Sequence, residues 1–126
     1  MPAELNLTED GYVLHYVFRE PWSITDMTEV NRRAKEYYDA ATHKVHVLLD
    51  VRGVRSAPPG FIRARSNPDV THPNAGNIAV VGANSYIRAL GDVILKLARF
   101  DRAKFFNTEE EAWAYLRAEI QKEPVS

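Results

Sequence analysis

The sequence contains no cysteine and has almost no net charge. Among its 126 residues, 16 Lys and Arg are opposed by 17 Asp and Glu. The lack of cysteine excludes disulfides, thiolate nucleophiles and cysteine-ligated metals. The balanced charge argues against a general nucleic-acid binder, which typically has a basic excess on one face.

Long hydrophobic runs are also absent. No stretch approaches the ~18 apolar residues of a membrane-spanning helix, and the opening residues MPAEL lack the basic start and apolar run of a secretory signal. The hydrophobic share of 45% and the charged share of 26% are ordinary for a globular protein. We therefore expect one soluble, cytoplasmic domain over residues 1–126.

The order of apolar patterns predicts strands alternating with helices. Strand-like segments flank Asp10-Gly11, which favours an N-terminal antiparallel hairpin. A nearly unbroken apolar run over residues 45–51 and a second apolar segment over 77–82 are typical of buried central strands. Apolar residues at helical spacing predict helices over residues 27–41, 61–66, 86–100 and 108–122. The predicted fold class is therefore α/β, a mixed and mostly parallel sheet with an N-terminal antiparallel hairpin, flanked by about four helices.

The segment that follows the first central strand is the predicted functional surface. Open α/β sheets place ligand crevices beyond the carboxyl ends of their strands. Arg52 and Arg55 could meet an anion or an acidic partner there, next to the positive end of the following helix. The alternative is a proline-rich connection in which Asp50 caps a turn and both arginines are solvated. The candidate binding residues are Asp50, Arg52, Arg55, Ser56, Pro58, Pro59, Gly60 and Phe61.

Catalytic and metal-binding motifs are missing. His43 and His46 are three residues apart, but a helix end that runs into a strand would not hold them on one face, so no metal site is predicted. There is no Gly-x-Ser-x-Gly elbow, dinucleotide fingerprint or Walker pattern. Asp50 and His72 could form an acid–base pair, although nothing in the sequence brings them together. We expect a protein without catalytic residues or a cofactor, and hence not an enzyme.

Three stretches in order are similar to one known family. They are VLLDVRGV at residues 47–54, NIAVVG at 77–82 and FFNTEEEAWAYL at 105–116. The chain resembles the SpoIIAA-like family of the STAS superfamily, which has the fold of sulfate-transporter C-terminal domains and anti-sigma-factor antagonists. The resemblance runs from about residue 11 to residue 116 and implies the same fold and a role in interaction.

One departure from that family concerns phosphorylation. Anti-sigma antagonists carry a phosphorylatable Ser in an Asp-Ser-Ser-Gly type of turn after the central strand. Here the matching segment is SAPPG at residues 56–60, with proline where the acceptor hydroxyl should be, and Ser56 stands two or three residues too early. The resemblance therefore does not carry the phosphorylation switch over to this chain.

Three hypotheses about function follow. The first is a STAS-type interaction module that docks a protein partner or a second copy of itself, with a regulatory role as a further option. The alternative is a carrier or sensor of a lipid-like or small apolar ligand, held between sheet and helices by residues such as Phe61, Tyr86 and Phe100. An enzyme with an unrecognised site ranks last.

Overall fold

The computed structural model describes residues 3–56, 73–97 and 102–122, and these form a five-stranded sheet with helices on both faces. The strands are β1 (Ala3–Thr8), β2 (Val13–Arg19), β3 (Val45–Gly53), β4 (Ala75–Val81) and β5 (Ala103–Phe106). The α-helices of the described residues are α1 (Ile24–Ala40), α2 (Ser85–Leu97) and α3 (Glu109–Gln121), and a 3₁₀ turn spans Glu9–Gly11.

The strands lie side by side in the order in which they occur in the chain. β1 and β2 are antiparallel, and the other neighbours are parallel. This confirms the predicted mixed sheet with an N-terminal hairpin. The helix count differs from the expected number of about four, because the described residues contain three α-helices. The predicted helix over residues 61–66 lies outside the described residues.

The hairpin turn depends on left-handed backbone at its tip. Asp10 has φ 56° and Gly11 has φ 91°, a region that glycine enters freely and that Asp tolerates better than most residues. Beyond the turn, Thr8 faces Val13, and the pairing continues to Ala3 opposite Phe18. The Asp-Gly signal in the sequence therefore marks the turn correctly.

β3 is the central strand, and its two sides belong to two different cores. Val45, Val47 and Val51 pack in the core that includes α1, whereas Leu48 packs on the other side with α3. Successive strand residues point to opposite faces. Because both faces are covered, β3 has apolar residues on both sides, interrupted only by His46 and Asp50 before Arg52, where a one-sided strand would have an alternating pattern.

α1 and α3 each begin at a side-chain cap. The Ser23 hydroxyl accepts a hydrogen bond from the Asp26 amide at 3.1 Å, and the Asp26 carboxylate accepts one from the Ser23 amide at 2.9 Å. In α3 the Thr108 hydroxyl accepts from the Glu111 amide at 3.2 Å. These bonds satisfy amides that a helix otherwise leaves unpaired in its first turn.

α3 covers the face of the sheet opposite α1. Its Ala112 and Leu116 are fully buried against Val13, Leu48 and Val81. In the part of the chain that the structure describes, no helix is both long and apolar enough to cross a membrane. The position of α3 matters for function, because its first turn lies beside the carboxyl end of β3.

Candidate functional site

Asp50 and Arg52 form an ion pair at the carboxyl end of β3. They are two residues apart in a strand, so both side chains point to the α3 face of the sheet. The Arg52 guanidinium donates to both Asp50 oxygens, from Nε at 3.1 Å and from Nη2 at 2.7 Å, and the Arg52 backbone amide donates at 3.0 Å. Asp50 is only 6% exposed, so this two-pronged bond supplies the partner that a buried carboxylate requires.

Two opposing effects set the pKa of Asp50. Burial is the larger single effect and favours the neutral acid, but the hydrogen bonds and positive charge of Arg52 together outweigh it and hold the pKa of Asp50 below its ordinary value. The same contacts, led by the hydrogen bond to Asp50, raise the pKa of Arg52. At neutral pH the pair is therefore fully charged.

Arg52 also connects the sheet to α3. Its Nη2 atom lies 3.2 Å from Glu109 Oε1, at the first residue of the helix. The Arg52 side chain is 54% exposed, so this second ion pair contributes little stability, on the order of 0–1 kcal/mol. The ion pair matters because it holds the start of α3 beside the end of β3, since one cation bridges two carboxylates from different elements.

Gly82 leaves the space in which the Arg52 side chain lies. It follows β4 with φ 75°, a left-handed conformation that favours glycine. A Cβ atom at this position would overlap the Arg52 Cγ atom. The turn after β4 therefore accommodates Arg52 only because residue 82 has no side chain.

His15 of β2 completes the group of polar side chains at this edge. Val17 pairs with Asp50 across the two parallel strands, and His15 shares a face with Val17 because it is two residues away. His15, Asp50 and Glu109 each offer a nitrogen or oxygen atom, and these atoms all lie within 4.8 Å of one another. We call His15, Asp50, Arg52 and Glu109 the inner cluster.

The imidazole of His15 packs against α3. Its ring meets the Trp113 ring edge-on, with centroids 5.7 Å apart. Among the described residues, no group hydrogen-bonds to the Nε2 atom of His15, which is shielded from solvent. The ring is thus held by packing, with one buried nitrogen free to accept a further contact.

The loop after β3 is anchored to two other parts of the chain. Glu20 Oε1 accepts hydrogen bonds from the backbone amides of Arg55 and Ser56, at 2.6 and 3.0 Å. The Asn84 side chain donates to the Arg55 carbonyl at 3.1 Å and accepts from the Ile87 amide at 2.8 Å, where it caps α2. The loop is therefore fixed beside the start of α2.

Exposed polar side chains of this loop and exposed apolar side chains of α2 lie in this region. Arg55 and Ser56 are exposed, and on α2 Tyr86 is 55% and Val93 49% exposed. Tyr86 and Val93 are seven residues apart, which places them on the same side of the helix, about two turns from each other. We call Arg55, Ser56, Tyr86 and Val93 the β3–α2 surface.

The residues that the sequence singled out thus divide into two groups. Asp50 and Arg52 belong to the inner cluster, whereas Arg55 and Ser56 belong to the β3–α2 surface. Four candidates, Pro58, Pro59, Gly60 and Phe61, lie outside the described residues, as does His72, the proposed partner of Asp50. Among the described residues, the structure places His15 near Asp50.

Sequence reasoning missed three residues at the site, His15, Glu20 and Glu109. The alternation of side chains along β2 could have indicated that His15 faces the interior, because His15 is two residues from the apolar Val13 and so lies on the same face of the strand. Glu20 and Glu109 are 35 and 57 residues from the positions they contact. No local pattern reveals such contacts.

Comparison with known proteins agrees with this architecture. The sequence model of the SpoIIAA-like family matches residues 13–117, which run from the start of β2 into α3. The chain belongs to the SpoIIAA-like family. No curated protein matches the chain.

A solved structure supports the fold of this SpoIIAA-like chain. The NMR structure of the protein TM1081 is similar with a TM-score of 0.57, covering 90% of this chain and 86% of that one at 17% sequence identity. At that identity the likeness concerns the fold. The resemblance that the sequence suggested is thus confirmed for both family and fold.

Proposed function

We propose that this SpoIIAA-like domain is a non-enzymatic interaction module that docks a protein through the β3–α2 surface. The observation that carries the proposal is the exposure of Tyr86 and Val93 on α2, the helix whose cap Asn84 anchors the polar loop. Domains of this family are generally interaction modules, which agrees with the proposal.

The composition of the surface suits a protein partner. Tyrosine and arginine are enriched at protein interfaces, and aromatic side chains there often supply much of the binding energy. Arg55 is exposed and offers a planar guanidinium to a carboxylate of the partner. Tyr86 and Val93 would lose their exposed apolar area to the same contact.

The anchoring of the loop favours binding as well. Glu20 and Asn84 hold the backbone of Arg55 and Ser56 in place through three hydrogen bonds. A loop that is already ordered loses less conformational entropy when a partner binds, and this increases affinity. The hydrogen bonds from Glu20 and Asn84 to the loop thereby favour the binding of a partner protein.

The carrier hypothesis has less support from the described residues. Tyr86 was expected to line an interior pocket, but it is 55% exposed on α2. Phe61 and Phe100, the other residues named for that pocket, lie outside the described residues. We therefore favour docking over ligand transport.

Site-specific photo-crosslinking in the native host tests the proposal. A benzophenone amino acid replaces Tyr86 in one variant and Glu36, an exposed residue of α1, in the control. We expect a discrete crosslinked protein from position 86 and none from position 36. Mass spectrometry then distinguishes a different protein from a second copy of this chain.

Two results would contradict the proposal. One is the absence of any crosslink from position 86 at native expression levels. The other is the same set of crosslinked proteins from positions 86 and 36, which would indicate random collisions.

A further inference from the structure

The inner cluster combines three side chains of the types that bind metals, brought from three separate elements. His15 comes from β2, Asp50 from β3 and Glu109 from α3. Their ligand atoms lie within 4.8 Å of one another. In a tetrahedral zinc site, two ligand atoms about 2.1 Å from the ion are about 3.4 Å apart. The two atoms of each pair therefore have to approach each other by no more than about 1.4 Å.

The state of His15 points to a ligand independently of the two acids. Its Nε2 atom is shielded from solvent and has no hydrogen-bond partner among the described residues. A buried polar atom left without a partner loses its hydrogen bonds to water without a replacement, which is unfavourable. Packing against Trp113 keeps the ring beside the carboxylates, so this cost is not relieved by moving into water.

The donor set selects a class of ion. Ca²⁺ and Mg²⁺ prefer sites made wholly of oxygen ligands. An imidazole nitrogen with two carboxylates suits zinc and similar divalent transition metals. Three protein ligands also leave a fourth coordination position for water or for a group from another molecule.

Arg52 already neutralises the same carboxylates. Its Nη2 atom lies 2.7 Å from Asp50 Oδ2 and 3.2 Å from Glu109 Oε1. The side chain is 54% exposed, so it can swing into solvent without opening the core. A divalent ion and the guanidinium would compete for one pair of acids.

We propose that His15, Asp50 and Glu109 form a binding site for a divalent transition-metal ion of the zinc type, and that Arg52 is the internal cation that competes with it. The linear spacing of histidines could not reveal this site, because each ligand is on a different element. The site is independent of the β3–α2 surface, so either proposal can fail without the other.

Calorimetric titration with ZnCl₂ tests the site on the untagged full chain after treatment with a chelator. We expect one Zn²⁺ per chain for the wild-type protein, and a loss of affinity of about 100-fold or more in His15→Gln. The matched control is His43→Gln, which removes a histidine that stacks on Tyr12 away from the cluster and should bind as the wild type does. In Arg52→Gln we expect binding about tenfold tighter, since the competing charge is gone.

NMR of the histidine rings provides a second measurement that needs no variant. Zinc should shift the ring resonances of His15 and leave those of His43 in place. Absence of stoichiometric zinc binding in the wild type overturns the site, as does a His15→Gln variant that binds zinc like the wild type. An Arg52→Gln variant that binds zinc no more tightly than the wild type overturns the competition by Arg52.

Discussion

Asp50 is a buried carboxylate that keeps its charge because its partner is two residues away on the same face of one strand. The desolvation cost and the attraction to Arg52 act in opposite directions, and the attraction is the stronger. Glu109 adds a second acid to the same guanidinium at the surface. The Asp50–Arg52 ion pair therefore supplies most of the stabilisation within the inner cluster, while Glu109 mainly places a second carboxylate beside Arg52.

The first prediction concerns the substitution Asp50→Asn. It removes a charged acceptor of three hydrogen bonds, and we expect a loss of about 1.5–3 kcal/mol in the free energy of unfolding at pH 7. Because the folded state lowers the pKa of Asp50, the stabilisation is present above the ordinary value of 3.8 and is lost as the pH falls through the lower folded value. Urea denaturation at pH 7 and at about pH 3 measures both effects.

The control for this prediction is Asp39→Asn. Asp39 is an exposed residue of α1 that pairs with Lys35, so its loss should change stability by less than about 0.5 kcal/mol. Asp50→Asn should also show a smaller drop in stability on acidification than the wild type. An unchanged drop would mean that Asp50 is not an important source of the acid sensitivity.

At the scale of elements, α3 joins the core to the site. One side of the helix buries Ala112 and Leu116, and its first turn brings Glu109 to Arg52. The helix begins where Thr108 caps the Glu111 amide. The cap therefore determines where Glu109 lies as well as where the helix begins.

The second prediction concerns the substitution Thr108→Ala. Loss of the cap should cost about 1 kcal/mol in the free energy of unfolding and speed amide hydrogen exchange in the first turn of α3. The control is Thr42→Ala, at an exposed position after α1, which should change neither quantity. Equal exchange rates in the wild type and in Thr108→Ala would contradict a capping role.

At the scale of the whole molecule, the two cores lie on opposite faces of one sheet. α1 covers one face, α3 covers the other, and α2 adds Ile87 to the α1 side. Tyr86 and Val93 of the same helix remain exposed. Among the described residues, the exposed side of α2 therefore offers apolar area to another molecule, as Leu7 of β1 also does.

The third prediction compares α2 with the core. The double substitution Tyr86→Ser and Val93→Ser should change the free energy of unfolding by less than about 1 kcal/mol and abolish co-purification of the partner identified by crosslinking. Leu116→Ala, in the buried core, should cost about 2–5 kcal/mol. A double variant as unstable as Leu116→Ala would show that these side chains support the fold and would remove the basis for the β3–α2 surface.

Local patterns were sufficient for much of the fold. The Asp-Gly turn, the apolar run of β3 and the caps at Ser23 and Thr108 each depend on residues close together in the chain, so their spacing predicts the element. The placement of Asp50 and Arg52 at the end of β3 followed from the same rules. The pairing of Asp50 with His72 did not follow from any of them and stays a prediction, because His72 lies outside the described residues. Among the described residues, the structure brings His15 near Asp50.

The sequence by itself determined the alternation of strands and helices, the turn at Gly11 and the location of a polar segment after β3, because each depends on interactions between residues near in the chain. Only the tertiary structure decided that Glu20 holds the loop at Arg55 and that Glu109 reaches Arg52. These contacts join residues 35 and 57 positions apart, and such pairs form only when the sheet order and the packing of α3 are fixed. The inner cluster therefore depends on tertiary packing, whereas the strands that carry its residues are determined by local sequence patterns.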